Sequence, residues 1–200
     1  KDEDYFSRRR RPVFQQLAVL VSRHAPPDSK VLDIGGAKGH LMAMVARMRP
    51  DLRLTVNDRS QSACTWAASH YGFGTLCGSV DALESETTGY DVVVLADVLY
   101  YVPQIRRFWS LLPRLVAPNG CVIMRVPNKL WLIRLGNVLS RVSGSLRRVP
   151  QDRILWYNPE HIYLLTRKYL EMRLERAGCS LVRVMPSPLS VSGLAGPLEH

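Results

Sequence analysis

VLDIGGAKGHLMAMVARM, running from Val31 to Met48, is the stretch whose reading decides the fold. Val31, Leu32 and Ile34 form a short apolar run that predicts a buried strand. Gly35, Gly36 and Gly39 then supply a tight turn, and Leu41, Met42, Val45 and Met48 recur behind it at helical intervals. The reading is strand, turn, helix. A ligand above such a turn meets backbone N–H groups and the positive end of the helix dipole. The same pattern also serves as a plain connection in any α/β domain, so spacing must narrow the choice. A dinucleotide fingerprint starting at Gly35 would need glycines where Ala37 and His40 stand, and fails twice. A phosphate-cradling loop would need a glycine at His40 followed by Lys and Ser or Thr, where the chain has Leu41-Met42.

What remains is acidic-x-Gly-x-x-x-Gly, Asp33 to Gly39. It resembles the first motif of the class I S-adenosylmethionine-dependent methyltransferases, acidic-x-Gly-x-Gly-x-Gly, with Ala37 in place of the middle glycine. Further elements of that family follow in order. Leu52, Leu54 and Val56 alternate as a second strand ending at Asn57-Asp58, where a carboxylate can accept from both hydroxyls of a ribose. Gly78-Ser79-Val80-Asp81-Ala82 resembles the third element, an acceptor beside an apolar slot for adenine. Tyr90 to Ala96 is continuously apolar after Asp91, as a central parallel strand should be, and leads into Asp97-Val98-Leu99-Tyr100-Tyr101-Val102-Pro103, similar to the fourth motif. Many relatives carry a histidine at the place of Tyr101; this chain does not. LVAPNGCVIMRVPN, with its turn at Asn119-Gly120, looks like the fifth motif. The group of the family that this order and ending resemble acts on small molecules, as in ubiquinone and menaquinone biosynthesis.

The resemblance implies a Rossmann-like, doubly wound α/β fold: a mostly parallel sheet of seven strands, or six with the last one short, and helices on both faces. It implies S-adenosyl-L-methionine as cofactor, held by Asp33, Gly35, Gly36, Gly39, Asp58, Arg59, Val80, Asp81, Ala82, Leu95 and Ala96. Tyr100, Tyr101, Trp156, Tyr157 and His161 become the acceptor-side candidates, with His161 or Tyr101 as a general base. The expected function is methyl transfer to an oxygen, nitrogen or carbon nucleophile of a small-molecule acceptor. The expected class is a methyltransferase enzyme.

The remaining stretches are organised around that frame. Tyr5-Phe6 and Arg8 to Arg11 precede a helix whose first turn accepts Pro12 and whose apolar face is Val13, Phe14, Leu17, Leu20 and Val21. By the resemblance, Tyr5 or a nearby arginine reaches the methionine carboxylate. A helix over about 104–116 precedes a strand from Cys121 to Val126. Lys129 to Val142 reads as an inserted amphipathic helix, and the insertion at about 129–153 as a lid, with docking to a membrane surface or a second subunit as alternatives. A helix opening near Pro159 and closing at Gly178 is expected to lead into a strand from Ser180 to Met185, with a short last strand at Leu189 to Ser192.

Composition bounds these readings. A chain of 200 residues, 46% hydrophobic, suits one domain with a sizeable core, taken as 1–197 with 198–200 as a tag remnant. No apolar stretch is long enough to span a bilayer. The four cysteines are scattered without a C-x-x-C pair and read as small core residues in a reducing compartment, which suggests the cytoplasm; no metal is expected. The net charge of +10 comes almost wholly from arginine and suits an anionic acceptor, an acidic membrane face or nucleic acid. Nucleic acid is the less favoured partner, because Ala96-Asp97-Val98-Leu99 stands where a base-methylating enzyme carries an Asn/Asp-Pro-Pro-aromatic motif. A nicotinamide-dependent oxidoreductase fails on glycine spacing, and a non-catalytic scaffold on the same fold is the remaining alternative.

Overall fold

The structure is a computed structural model that describes residues 10–86, 89–127 and 162–187. The elements run α1 (Arg11–His24), β1 (Lys30–Ile34), α2 (His40–Met48), β2 (Arg53–Asp58), α3 (Gln61–Tyr71), β3 (Gly74–Cys77), β4 (Tyr90–Ala96), α4 (Ile105–Leu115), β5 (Val116–Arg125) and α5 (Arg167–Arg176), with 3-10 turns at Val80–Leu83 and Leu99–Tyr101. The strands form one parallel sheet in the order β3-β2-β1-β4-β5. From β1 the chain winds outward to β3, then crosses back over β1 to reach β4. That reversal makes the carboxyl ends of β1 and β4 a topological switch point, where open α/β sheets bind ligands.

Alternation along the two central strands divides the core. Val31 of β1 and Val92 and Val94 of β4 face α1 and α2, meeting Val13, Phe14, Leu17, Met42 and Val45. Leu32, Val93 and Leu95 point the other way, to Phe108, Leu112 and Leu115 of α4. Both faces are therefore covered by helices, which is why β4 is apolar at successive positions. Ser60 caps α3 by accepting from Ala63 N–H at 3.3 Å.

The β4–β5 register holds the expected turn. Tyr90 lies opposite Val116 and Val92 opposite Cys121, so residues 117–120 loop out of the ladder. Asn119 takes φ +64° there. Gly120 has no room for a side chain, since a Cβ would come within 2.9 Å of the Ala117 carbonyl oxygen.

Three expectations need correction. The described residues contain five strands, and the stretch expected as a strand from Ser180 to Met185 is extended but unpaired. Its apolar side chains find no cover, Val182 being 86% exposed. The far end of this stretch is held by side chains instead, Gln16 Nε2 donating to the Pro186 carbonyl at 2.9 Å and Arg125 Nε to Ser187 Oγ at 2.8 Å. The last helix begins at Arg167, after non-helical residues 162–166, because Thr166 caps it by accepting from Tyr169 N–H at 3.1 Å; the expected opening near Pro159 lies outside the described residues. The lid, the tag remnant and the short last strand at Leu189 to Ser192 lie outside the described residues. Among those described, no helix is long and apolar enough to cross a membrane.

The α4 face gives a direct test of the packing. Phe108 is fully buried between sheet and helix, so Phe108→Ala is expected to destabilise the fold by about 3 to 5 kcal/mol in urea denaturation. A loss below about 1 kcal/mol would show that the α4 layer does not enclose it.

Candidate cofactor and acceptor site

The site starts from backbone geometry at the end of β1. Gly35 takes φ +71° and Gly39 φ +77°, conformations that side chains disfavour. Gly36 is needed for space: a Cβ there would sit 2.6 Å from Asp33 Oδ2 and 2.9 Å from Val56 Cγ1. A Cβ on Gly35 would overlap Val98, so the β1 turn and the exit of β4 touch across the switch point. Ala37, the departure from the usual glycine, also takes φ +48°. A left-handed alanine costs about 1 to 2 kcal/mol, offset here by its N–H donating to Asp58 Oδ2 at 2.9 Å. Gly39 precedes α2 and brings no capping side chain to the N–H groups of its first turn.

Buried Asn57 fixes this turn to its neighbours. Its carbonyl accepts from Gly35 N–H at 2.8 Å and Gly36 N–H at 3.0 Å. Its side-chain amide donates to the carbonyls of Leu76 and Gly78 at 2.8 and 3.1 Å. The exits of β1, β2 and β3 are thereby held together. Asp58, the last residue of β2, accepts from Ala37 N–H and from Ser60 N–H, each at 2.9 Å. Two of its lone-pair directions are used, and a carboxylate offers about four. Gly78 N–H donates to the Asp58 carbonyl at 2.9 Å, bringing the following turn, with Val80, Asp81 and Ala82, to the same edge. Arg59 follows Asp58 on the exposed side.

Asp33 is the electrostatic outlier. It is 1% exposed, and neither carboxyl oxygen has a hydrogen-bond partner among the described residues. Burial, and secondarily the charge of Asp58, push its pKa up to about 8. An acid in this position is neutral near pH 7 unless a cation joins it.

On the other side of the switch point, the chain leaves β4 through Asp97, which takes φ +60° and is 7% exposed. Its Oδ2 receives Arg10 Nη1 at 2.8 Å and also Arg125 Nη1. One buried carboxylate thus faces two guanidinium groups. Tyr100 is buried beside them, and burial first, then the Asp97 charge, hold its phenol well above the ordinary range. Tyr101 is half-buried, its ring 4.6 Å from that of Tyr100. The chain returns to this point at Ile162, whose N–H donates to the Tyr100 carbonyl at 2.9 Å. His161, Trp156 and Tyr157 lie outside the described residues.

The structure therefore brings Asp33, Gly35, Gly36, Gly39, Asp58 and the turn of Val80, Asp81 and Ala82 to one sheet edge. Leu95 is fully buried against α4 with no exposed surface, whereas Ala96 is half-buried on the opposite face. Sequence reasoning missed Asp97, Arg10 as its partner, Arg125 and Asn57. The signal for Asp97 was present, a carboxylate directly after the most apolar strand; the two arginines carry no local signal. Two open hollows lie elsewhere, one of about 520 Å³ between Pro50, Arg53, Tyr71 and Gly74, and one of about 280 Å³ between α1 and Arg183 and Met185. Neither touches the glycine turn, and neither gathers the buried charge found at the carboxyl edge.

Comparison with known proteins agrees with this geometry. The chain matches the family model described as a methyltransferase domain over residues 5–184. The mitochondrial ubiquinone biosynthesis O-methyltransferase of Schizosaccharomyces pombe is 31% identical over 140 residues, covering 66% of this chain and 50% of the relative. The chain thus spans about half the length of that curated relative. A chain in the Haloferax volcanii complex of the Trm112 methyltransferase activator superposes with a TM-score of 0.67 at 14% identity, covering 91% of this chain and 74% of the other. A SAM-dependent methyltransferase from Archaeoglobus fulgidus gives 0.62 at 16% identity, covering 88% and 72%. These structures share the fold. With the family model matching most of its length, and the glycine turn at its switch point, the chain belongs to the methyltransferase domain family, class I enzymes whose cofactor is S-adenosylmethionine.

Proposed function

We propose that this protein transfers a methyl group from S-adenosylmethionine to a small, anionic acceptor, with oxygen as the attacked atom. The carrying observation is that the glycine turn, Asp33, Asp58 and the Asp97–arginine cluster meet at one carboxyl edge. The residues present fit the cofactor. Asp33, buried and unpartnered among the described residues, suits a ligand that brings a cation; Asp58 has acceptor capacity left for a pair of hydroxyls; the start of α2, where Gly39 brings no capping side chain, suits a carboxylate. Val80, Asp81 and Ala82 complete the proposed adenine side, with Arg59, Leu95 and Ala96 beside the pocket. When bound, S-adenosylmethionine supplies an electrophilic methyl group on a sulfonium with a good leaving group.

The protein's own contribution is position and exclusion of water. Gly35, Gly36 and Gly39 let backbone approach the ligand closely, and Val98 closes the gap between β1 and β4. Tyr100, its phenol held protonated, acts as a hydrogen-bond donor rather than as a base. Tyr101 and His161 are the proposed bases, and the segment at about 129–153 the proposed lid. The two guanidinium groups gathered at the exit of β4 support an acceptor that carries a carboxylate or similar group. The likeness to an O-methyltransferase supports oxygen as the attacked atom. All four cysteines are free thiols, which supports a reducing compartment such as the cytoplasm.

The deciding experiment is turnover. Incubation with S-adenosylmethionine and a panel of hydroxylated aromatic acids is expected to yield S-adenosylhomocysteine and a methylated acid. Tyr101→Phe is expected to lower kcat about tenfold or more at unchanged S-adenosylhomocysteine affinity. Methylation of nucleic acid, with none of the acids consumed, would overturn the acceptor assignment. Asp58→Ala is expected to weaken S-adenosylhomocysteine binding by about 1 to 3 kcal/mol in calorimetry; unchanged affinity with an intact fold would remove Asp58 from the site.

Asp33 predicts a pH dependence. A bound cation favours the ionised carboxylate, so binding below its pKa of about 8 releases a proton. Affinity for S-adenosylhomocysteine is expected to rise from about pH 6 to about pH 8 and then level off, a slope that Asp33→Asn abolishes. An affinity that falls across this window would show that Asp33 does not meet the cation.

A further inference from the structure

The four cysteines are scattered in the sequence, but the fold brings two of them to either side of Asp58. Cys64, in the first turn of α3, is 1% exposed; Cys77 ends β3 and is exposed. Both are free thiols. The β2–β3 register puts Cys77 opposite Asp58, and Cys64 Sγ lies 3.4 Å from the Asp58 carbonyl oxygen. The Cys77 thiol is also near enough to act electrostatically on the Cys64 thiol. The backbone of one proposed ligand-binding residue is thus contacted by one sulfur and paired in register with the other.

We propose that Cys64 and Cys77 are a site of oxidative modification, closing to an intramolecular disulfide under peroxide and thereby weakening cofactor binding through Asp58. The affinity effect rests on the reading of Asp58 as a cofactor residue; the disulfide itself does not. The roles of the two sulfurs follow from their surroundings. Exposed Cys77 meets the oxidant first. Its thiolate attacks one peroxide oxygen, forming an S–O bond and breaking the O–O bond, and the departing hydroxide takes a proton to become water. Cys64 then displaces hydroxide from the Cys77 sulfenic acid, forming the S–S bond and breaking the S–O bond, and its thiol proton leaves with that hydroxide as a second water. Two thiols and one peroxide thereby give one disulfide and two waters. Burial first, and the Cys77 neighbour second, push the Cys64 thiol up to about 11, which suits it to the second step rather than the first.

The mechanical consequence also follows from contacts on both sides. A disulfide fixes its Cβ atoms about 3.8 Å apart, and so ties the start of α3 to the end of β3. Ser60, at that start, donates its N–H to Asp58 Oδ1, while Gly78, just past Cys77, donates to the Asp58 carbonyl. Tying the two elements together therefore acts on Asp58 from both tethers.

The test uses the full chain, reduced and then treated with hydrogen peroxide, digested without reductant and mapped by mass spectrometry, alongside calorimetry with S-adenosylhomocysteine. The expected result is a peptide linked through Cys64 and Cys77, an affinity lowered about fivefold or more, and recovery on reduction with dithiothreitol. Cys77→Ser is expected to bind like the reduced protein and to ignore peroxide. Absence of the linked peptide, a disulfide dimer through Cys77, or a linked peptide with unchanged affinity would each overturn the proposal. Failure of the reduced protein to bind S-adenosylhomocysteine would sink the cofactor reading and with it the affinity effect, while the peptide map would still decide the disulfide.

Discussion

Asn57 is the constraint on which the carboxyl edge of the sheet depends. It is 3% exposed, yet its carbonyl accepts two N–H groups from the β1 turn and its amide donates to two carbonyls flanking the end of β3. Leaving one such buried group unpaired costs about 1 to 3 kcal/mol, so main chain and side chain of this one residue together specify where three chain segments end relative to one another. The glycine turn alone would be a flexible bend. Stapled to β2, it becomes a fixed rim, and Asp58, the next residue, is aimed by two further amides from opposite sides.

How much of this was legible depends on whether the signal was local. The alternation of strand and helix, the two-faced burial of β4 and the glycine turn are periodic or conformational patterns within a few residues, and sequence carries them directly. The spacing of Asp33, Asp58 and Asp81 could be read because parallel strands all end at the same edge. What escaped were contacts between distant segments: Arg10 and Arg125 meeting on Asp97, and the two thiols meeting beside Asp58. The stretch at 180–185 failed for a related reason. Its apolar residues look like a strand, but a strand is made by a partner, and among the described residues β5 does not pair with it.

Charge is distributed unevenly across the switch point. On the β1 side two acids lie close enough to influence each other, and one stays protonated. On the β4 side one acid meets two guanidinium groups. A molecule lying across the crevice would meet acids at one end and guanidinium groups at the other. Ala37 shows the same economy on a smaller scale, accepting an unfavourable backbone conformation that places its N–H on Asp58.

The orphaned Asp33 has an outcome beyond ligand recognition. Above the carboxylate's unfolded pKa of 3.8 the folded chain must hold its proton or bury a lone charge, so stability falls as pH rises toward 8. Ligand at a hundred times its dissociation constant returns about 2.7 kcal/mol to the folded state, and more of the chain is then shielded from proteases that attack opened forms. Occupancy of the site is thereby coupled to how long the folded chain resists cleavage.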